Sequence, residues 1–264
     1  KVTTDAEKKY QMIGMRLRQF VIKNVKHRFF SAPGPGVQTK GIYKMLRLQW
    51  NQMKQYYAIN PLIKAYKLIK SSSQDIVESI PSNASCIEMK RVENTDDLLH
   101  FDFGSVSNIV PFKDKRYIEN RFFNYPFYDY DVFLVCKLNE LMAQNIVVCR
   151  KAIAKDDEGN NIASAYRIVD YYGTENLLPE IISALFEKVK SQGDEFLDFV
   201  CHGFDELLLK QSGLTLLNFD SSDVIIPNWF EPLVKENIAV NCVADTTMYE
   251  YRQCKADGDQ DRPN

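Results

Sequence analysis

Asn145-Ile146-Val147-Val148-Cys149-Arg150-Lys151-Ala152-Ile153-Ala154, Lys155-Asp156-Asp157-Glu158-Gly159-Asn160-Asn161 and Ile162-Ala163-Ser164-Ala165-Tyr166-Arg167-Ile168-Val169-Asp170 follow one another without a break. The outer two runs are rich in β-branched and apolar residues. The middle one is a cluster of acidic residues, Gly and Asn, so the three together predict a β-hairpin. A third strand-like run, Asp131–Lys137, lies just upstream and extends the hairpin into an antiparallel meander. Downstream, Leu177, Leu178, Ile181, Ile182, Leu185, Phe186 and Val189 step at helical spacing, with Pro179 near the start and Gly193 as the stop. A strand at Phe196–Cys201 and a helix at Asp205–Gln211 follow, then strand-like pieces at Val224–Ile226 and Met248–Cys254. Upstream of the meander the pattern predicts a strand at Cys86–Val92. A short helix opened by Thr95-Asp96-Asp97 and another at Asp114–Phe123 follow it. The predicted class is α/β in the α+β sense, a mixed, mainly antiparallel sheet flanked by helices.

The whole-chain net charge of −2 conceals a division. Residues 1–70 carry 15 Lys and Arg against only Asp5 and Glu7, a net of +13, whereas residues 71–264 carry 18 against 33 acidic residues, a net of −15. Such asymmetry predicts a basic arm or surface joined to an acidic body. Residues 6–30 are basic and apolar without a clean period, leaving helix and strand both open. Ser31-Ala32-Pro33-Gly34-Pro35-Gly36 is a breaker. Ile42, Met45, Leu46, Gln49, Trp50, Met53, Tyr56 and Tyr57 step by three and four, which predicts an amphipathic helix over 42–57, with a second short helix at Leu62–Ile69. Linker composition from Ser71 to Asn83 sets the division: a basic, helix-bearing segment over 1–82 and a domain over 83–264. A composition 45% hydrophobic and 26% charged excludes disordered, collagen-like and coiled-coil classes. The six scattered cysteines predict reduced thiols in a cytoplasmic protein, and neither a disulfide framework nor a zinc site.

The predicted order, β-α-α-β-β-β-α-β-α-β-β from Cys86 onward, resembles the fold of GCN5-related N-acetyltransferases (GNAT). Ile87-Glu88-Met89-Lys90-Arg91-Val92 followed by Asp96-Asp97-Leu98-Leu99 resembles that family's opening strand and first helix. Arg121-Phe122-Phe123-Asn124-Tyr125-Pro126-Phe127-Tyr128 resembles a stretch of GNAT-like proteins from bacterial surface-polysaccharide clusters, as does the tail Asp257-Gly258-Asp259-Gln260-Asp261-Arg262-Pro263-Asn264. Two hallmarks depart from the family. The pyrophosphate loop, [QR]-x-x-G-x-[GA], is replaced by Asp170-Tyr171-Tyr172-Gly173-Thr174-Glu175-Asn176. Leu209 stands where a tyrosine acid precedes the glycine of the last helix's ending.

The resemblance implies acyl-CoA (acetyl-CoA) as co-substrate. Its phosphate-contacting candidates are Gly173 and Thr174, or Gln38, Lys40 and Gly41 of the better-matching Gln38-Thr39-Lys40-Gly41-Ile42-Tyr43, which would make segment 1–82 part of a first GNAT-like half or else is a plain connector. His202, at the end of a predicted strand, is the candidate base, with Asp170 to orient it or act in its place. Asp257, Asp259, Asp261 and Arg262 are candidates to hold an acceptor, or else form a solvated terminus. No metal is expected, because Arg262 stands where a calcium loop needs glycine.

By resemblance the expected activity is transfer of an acyl group to a nucleotide- or lipid-linked amino sugar in bacterial polysaccharide biosynthesis. The expected location is the cytoplasm or the inner membrane face. The alternative is a non-catalytic GNAT-fold binding or scaffold module, recruited to an anionic membrane by its basic segment. That segment carries no nucleic-acid-binding motif.

Overall fold

The computed structural model describes residues 13–27, 29–71, 86–245 and 250–258. The chain divides into two units, residues 1–30 and 31–264. The first contains helix α1 (Ile13–Asn24), none of whose residues is buried.

In the second unit, β1 (Ser31–Pro33), α2 (Lys40–Met45), β2 (Gln49–Gln52) and β3 (Lys54–Ile59) come first, then β4 (Ile87–Arg91), β5 (Ile109–Val110) and α3 (Lys115–Ile118). The meander β6 (Asp131–Lys137), β7 (Asn145–Lys155) and β8 (Asn161–Gly173) leads into α4 (Leu178–Gln192), β9 (Phe196–His202) and α5 (Glu206–Gln211). Short strands complete the unit: β10 (Thr215–Leu216), β11 (Trp229–Phe230), β12 (Leu233–Val234), β13 (Asn241–Ala244), β14 (Glu250–Tyr251) and β15 (Gln253–Cys254).

The main sheet runs β10-β3-β9-β8-β7-β6-β4, with β15 added against β9. Every pairing in it is antiparallel except β8 with β9, whose parallel crossover is α4. A smaller sheet runs β1-β13-β2.

One face of the main sheet is covered by α4 and α5, with Phe133, Val147, Cys149, Ile168 and Phe199 packed against Ile181, Leu185, Phe186 and Leu209. The opposite face, through Val132, Leu134, Ile146 and Val148, packs against Leu98, Ile118 and Phe122. Helix α4 ends at Gly193, which takes a left-handed φ of 70° and donates its amide to Lys190 O, as a helix C-cap requires.

The hairpin, the strands at Cys86–Val92, Asp131–Lys137 and Phe196–Cys201 and the helices of 83–264 stand where the sequence predicts them. The strand expected at Val224–Ile226 is reduced to an isolated bridge of Ile225 with Lys70, and of the strand expected over Met248–Cys254 residues 248 and 249 lie outside the described residues. Three further local expectations are corrected. The helix expected over 42–57 stops at Met45: Arg47 takes a left-handed φ of 59°, and the chain then forms β2 and β3. β3 is an inner strand buried on both faces, so its continuous apolar run mimicked a helical stripe. Leu62–Ile69 forms turns rather than a helix. The 3₁₀ turn at Thr95–His100 is capped by Asn94, one residue earlier than the sequence suggested. Through β3 the main sheet draws on both sides of the 82/83 division. The six cysteines are free thiols.

Candidate functional site

The site begins where two parallel strands part. β8 and β9 pair only at Tyr166–Ile168 with Leu197–Phe199, although β8 continues to Gly173 and β9 to His202. A bulge in β8 coincides with the parting: Val148 faces Asp170 and Cys149 faces Ile168, leaving Val169 unmatched. The far edge of β9 is held throughout by β3, from Ile59 opposite Phe196 to Lys54 opposite Cys201. β15 pairs Cys254 with Cys201 and Gln253 with His202. With one edge of β9 taken by β3, β15 must lie on the edge facing β8. The C-terminal segment therefore fills the gap.

That segment is held along its length. Arg252 donates Nη1 to Gly173 O (2.6 Å) and pairs Nη2 with Glu175 Oε1 (2.7 Å), tying it to the end of β8 and the entry to α4. Lys255 Nζ donates to Asn228 O (2.8 Å). Arg121 donates Nε to Ala256 O and Nη2 to Gly258 O, each at 2.9 Å. Arg121 opens the stretch that carried one of the family resemblances, and its role here is to grip the chain's own tail.

Asp170 and Asp257 are brought together on the buried ammonium of Lys113, with Asp257 Oδ1 at 2.8 Å. Burial alone would lower the Lys113 pKa, but the two carboxylates outweigh it and hold it well above the ordinary lysine value. Burial pushes the Asp257 carboxyl up against the pull of Lys113, and pushes the Cys254 thiol well up beside Asp170. Ligand atoms of Asp170, Cys254 and Asp257 lie within 4.8 Å of one another. The cation that pairs with the two carboxylates is Lys113, so the described contacts make the cluster an ion-paired clamp. Asp259, Asp261 and Arg262 lie outside the described residues.

His202, half-buried, lines a cavity of about 350 Å³ with Asn51, Lys54, Tyr56, Phe204 and Glu206. Burial, and then the charge of Lys54, lowers its pKa below the ordinary histidine value, which keeps the imidazole neutral at pH 7. Lys54 itself pairs with Glu206. Gly203 takes a φ of 80°, and a Cβ there would collide with Tyr251 O. The His202 ring lies beside Tyr251, with centroids 5.3 Å apart, whereas Asp170 is engaged by Lys113 and the Tyr171 amide. The structure gives the proposed base and its proposed orienting acid separate sets of partners. The sequence missed Lys54, Tyr56, Lys113 and Arg252. Only the first two had a signal, the aromatic run at Tyr56-Tyr57.

The phosphate-loop candidates fall in two places. Gln38 lies in a 3₁₀ turn and Lys40 and Gly41 open α2, beside the small sheet, with Lys40 Nζ 5.9 Å from the Trp50 ring. A Cβ on Gly41 would meet nothing within 4 Å, so close backbone approach does not demand glycine there. Gly173 is demanded by packing: its φ is 140°, and a Cβ would run into Gln144 O and Asn145 Oδ1. The Thr174 hydroxyl bonds to the Asn176 side chain. Glu175 stands at the start of α4 and also accepts from the Asp205 amide (2.7 Å). These residues do not present an open acyl-CoA site: the gap holds β15, and the Glu175 side chain ahead of α4 is engaged by Arg252 and the Asp205 amide.

No family model and no curated protein matches the chain. Solved GNAT-fold structures are similar to it at low identity. A GCN5-related N-acetyltransferase from Anabaena variabilis matches with a TM-score of 0.45 at 9% identity, covering 90% of this chain and 51% of that one. An N-myristoyltransferase from Saccharomyces cerevisiae with bound myristoyl-CoA gives 0.47 at 9%, covering 93% and 58%. A conserved protein of unknown function from Staphylococcus epidermidis gives 0.42 at 13%, covering 94% and 83%. The chain thus spans about half the length of the first of these.

Proposed function

We propose that the chain is a GNAT-type binding module in which the protein's own C-terminal strand takes the place of an acyl-CoA donor. The observation that carries this reading is β15 in the gap between β8 and β9, held from both ends by Arg252 and by Asp257 on Lys113. The missing glycine loop and the buried Leu209 in place of a tyrosine acid support it. The basic segment would serve to recruit the module to an anionic membrane surface. On α1, Arg16, Arg18 and Lys23 sit among exposed Leu17, Phe20 and Val21, which suits such a contact. Binding to anionic vesicles should then fall steeply between low and high salt, and salt-independent binding would count against that part.

A second reading, acyl transfer to an amino sugar, is favoured by His202. A neutral imidazole beside a cavity of about 350 Å³ is equipped to take a proton from an amine. Thiol release from acetyl-CoA in the presence of glucosamine separates the two readings. The module reading expects release at the rate of buffer alone. Release above that rate that is lost in His202→Asn would replace it with the transferase reading.

A further inference from the structure

Arg150 stands on β7 directly opposite Arg167 on β8, two cationic residues at one cross-strand position. Like charges so placed repel unless each is balanced. Arg167 is balanced: it donates Nε and Nη2 to the two oxygens of Asp198 (2.8 and 2.6 Å) and Nη1 to Asn228 O (2.9 Å). Arg150 is not. It is 6% exposed, its Nε has no hydrogen-bond partner, and among the described residues no carboxylate lies within ion-pair distance of it. Its contacts are with Tyr128: the ring centroid is 4.1 Å from the guanidinium carbon, and the hydroxyl, which donates to Glu231, also interacts with the guanidinium. A buried cation whose nearest carboxylate is reached only through a hydroxyl is costly to hold, and a bound anion in direct contact would offset that cost.

The surroundings of Arg150 suit such an anion. It lines a cavity of about 910 Å³, the volume of a small-molecule site, together with Phe127, Tyr128 and Phe230. The other charged lining residues are exposed, whereas Arg150 is buried. Phe127 is 76% exposed, a large ring presented to solvent at the cavity wall. Exposed Asp129, Asp157 and Glu231 give the wall carboxylate oxygens that accept hydroxyl donors; Glu231 already accepts from Tyr128 (2.7 Å). A guanidinium with no direct ion pair among the described residues, aromatic faces at the side and hydroxyl acceptors around them are complementary to one chemical class. We propose that this cavity binds a polyhydroxylated ring bearing one oxyanion, a sugar phosphate or a sugar acid, with the oxyanion on Arg150 and the ring against Phe127 and Tyr128. This names a ligand for the binding module above, and rests on that reading for its role in the cell.

The test is calorimetric titration of the full chain, in phosphate-free buffer, with glucose 1-phosphate, glucuronate and glucose. Saturable binding of either anion, at least tenfold tighter than glucose, is expected, and the stronger of the two identifies phosphate or carboxylate as the source. Arg150→Gln should weaken that binding at least tenfold and melt no lower than the parent protein without ligand. Phe127→Ala, at an exposed position, should melt unchanged and bind severalfold more weakly. The proposal is overturned if neither anion binds, if glucose binds equally, or if both variants bind like the parent. It is also overturned if Arg150→Gln melts several degrees lower, because the guanidinium would then have a structural partner. These titrations contain no acyl-CoA, so their failure and the failure of the module reading are separate results.

Discussion

Gly173 shows how one residue type admits two explanations that only geometry separates. In the sequence it was the surviving glycine of a phosphate loop, and in the structure it lies where a Cβ has no room against Gln144 and Asn145. Gly173→Ala should therefore destabilise the fold by about 2–4 kcal/mol in chemical denaturation; a loss below about 0.5 kcal/mol would contradict the packing account. His202 carries a pH signature. Its pKa is lowered in the folded state, so its contribution to stability is present above the unfolded value near 6.5 and is lost as pH falls through the lower folded value. Acidification from pH 7.5 to 5 should destabilise the parent protein more than His202→Gln, and equal losses would show that the imidazole is not the group titrating. His202 was legible because a histidine ending a strand in a β-α unit is placed at a cleft. Lys113 was not legible, because its two partners lie 57 and 144 positions further along the chain.

At the scale of elements, the hairpin around Gly159 and helix α4 were legible because alternation, turn chemistry and helical spacing agreed with one another. β3 was not. Met53, Tyr56 and Tyr57 sit at helical spacing, yet Tyr56 and Tyr57 belong to a strand held by β9 and β10, and tertiary pairing overrode the local pattern. β15 is the element on which the functional reading turns. Two residues of strand are too few to stay in place on their own pairing, so the Arg252 contacts with Gly173 O and Glu175 have to hold them. Arg252→Ala should speed amide hydrogen exchange at Gln253 and Cys254 by at least tenfold, with little change in the amides of β7. Exchange unchanged at those two residues would mean that the clamp lies elsewhere.

For the whole molecule, the sequence's division into a basic part and an acidic part does not coincide with a structural one. β3, from the basic part, enters the main sheet, and its Lys54 reaches Glu206 at the start of α5. The larger unit has the layered architecture that the resemblance implied, helices on both faces of a mainly antiparallel sheet. The place where such a sheet opens is closed by the chain itself. On the proposed reading that closure separates fold from activity, because a strand of the same chain takes the gap. Calorimetric titration of the full chain with acetyl-CoA tests it most directly. The account predicts no saturable heat up to millimolar ligand, and a saturable isotherm with micromolar Kd would contradict it.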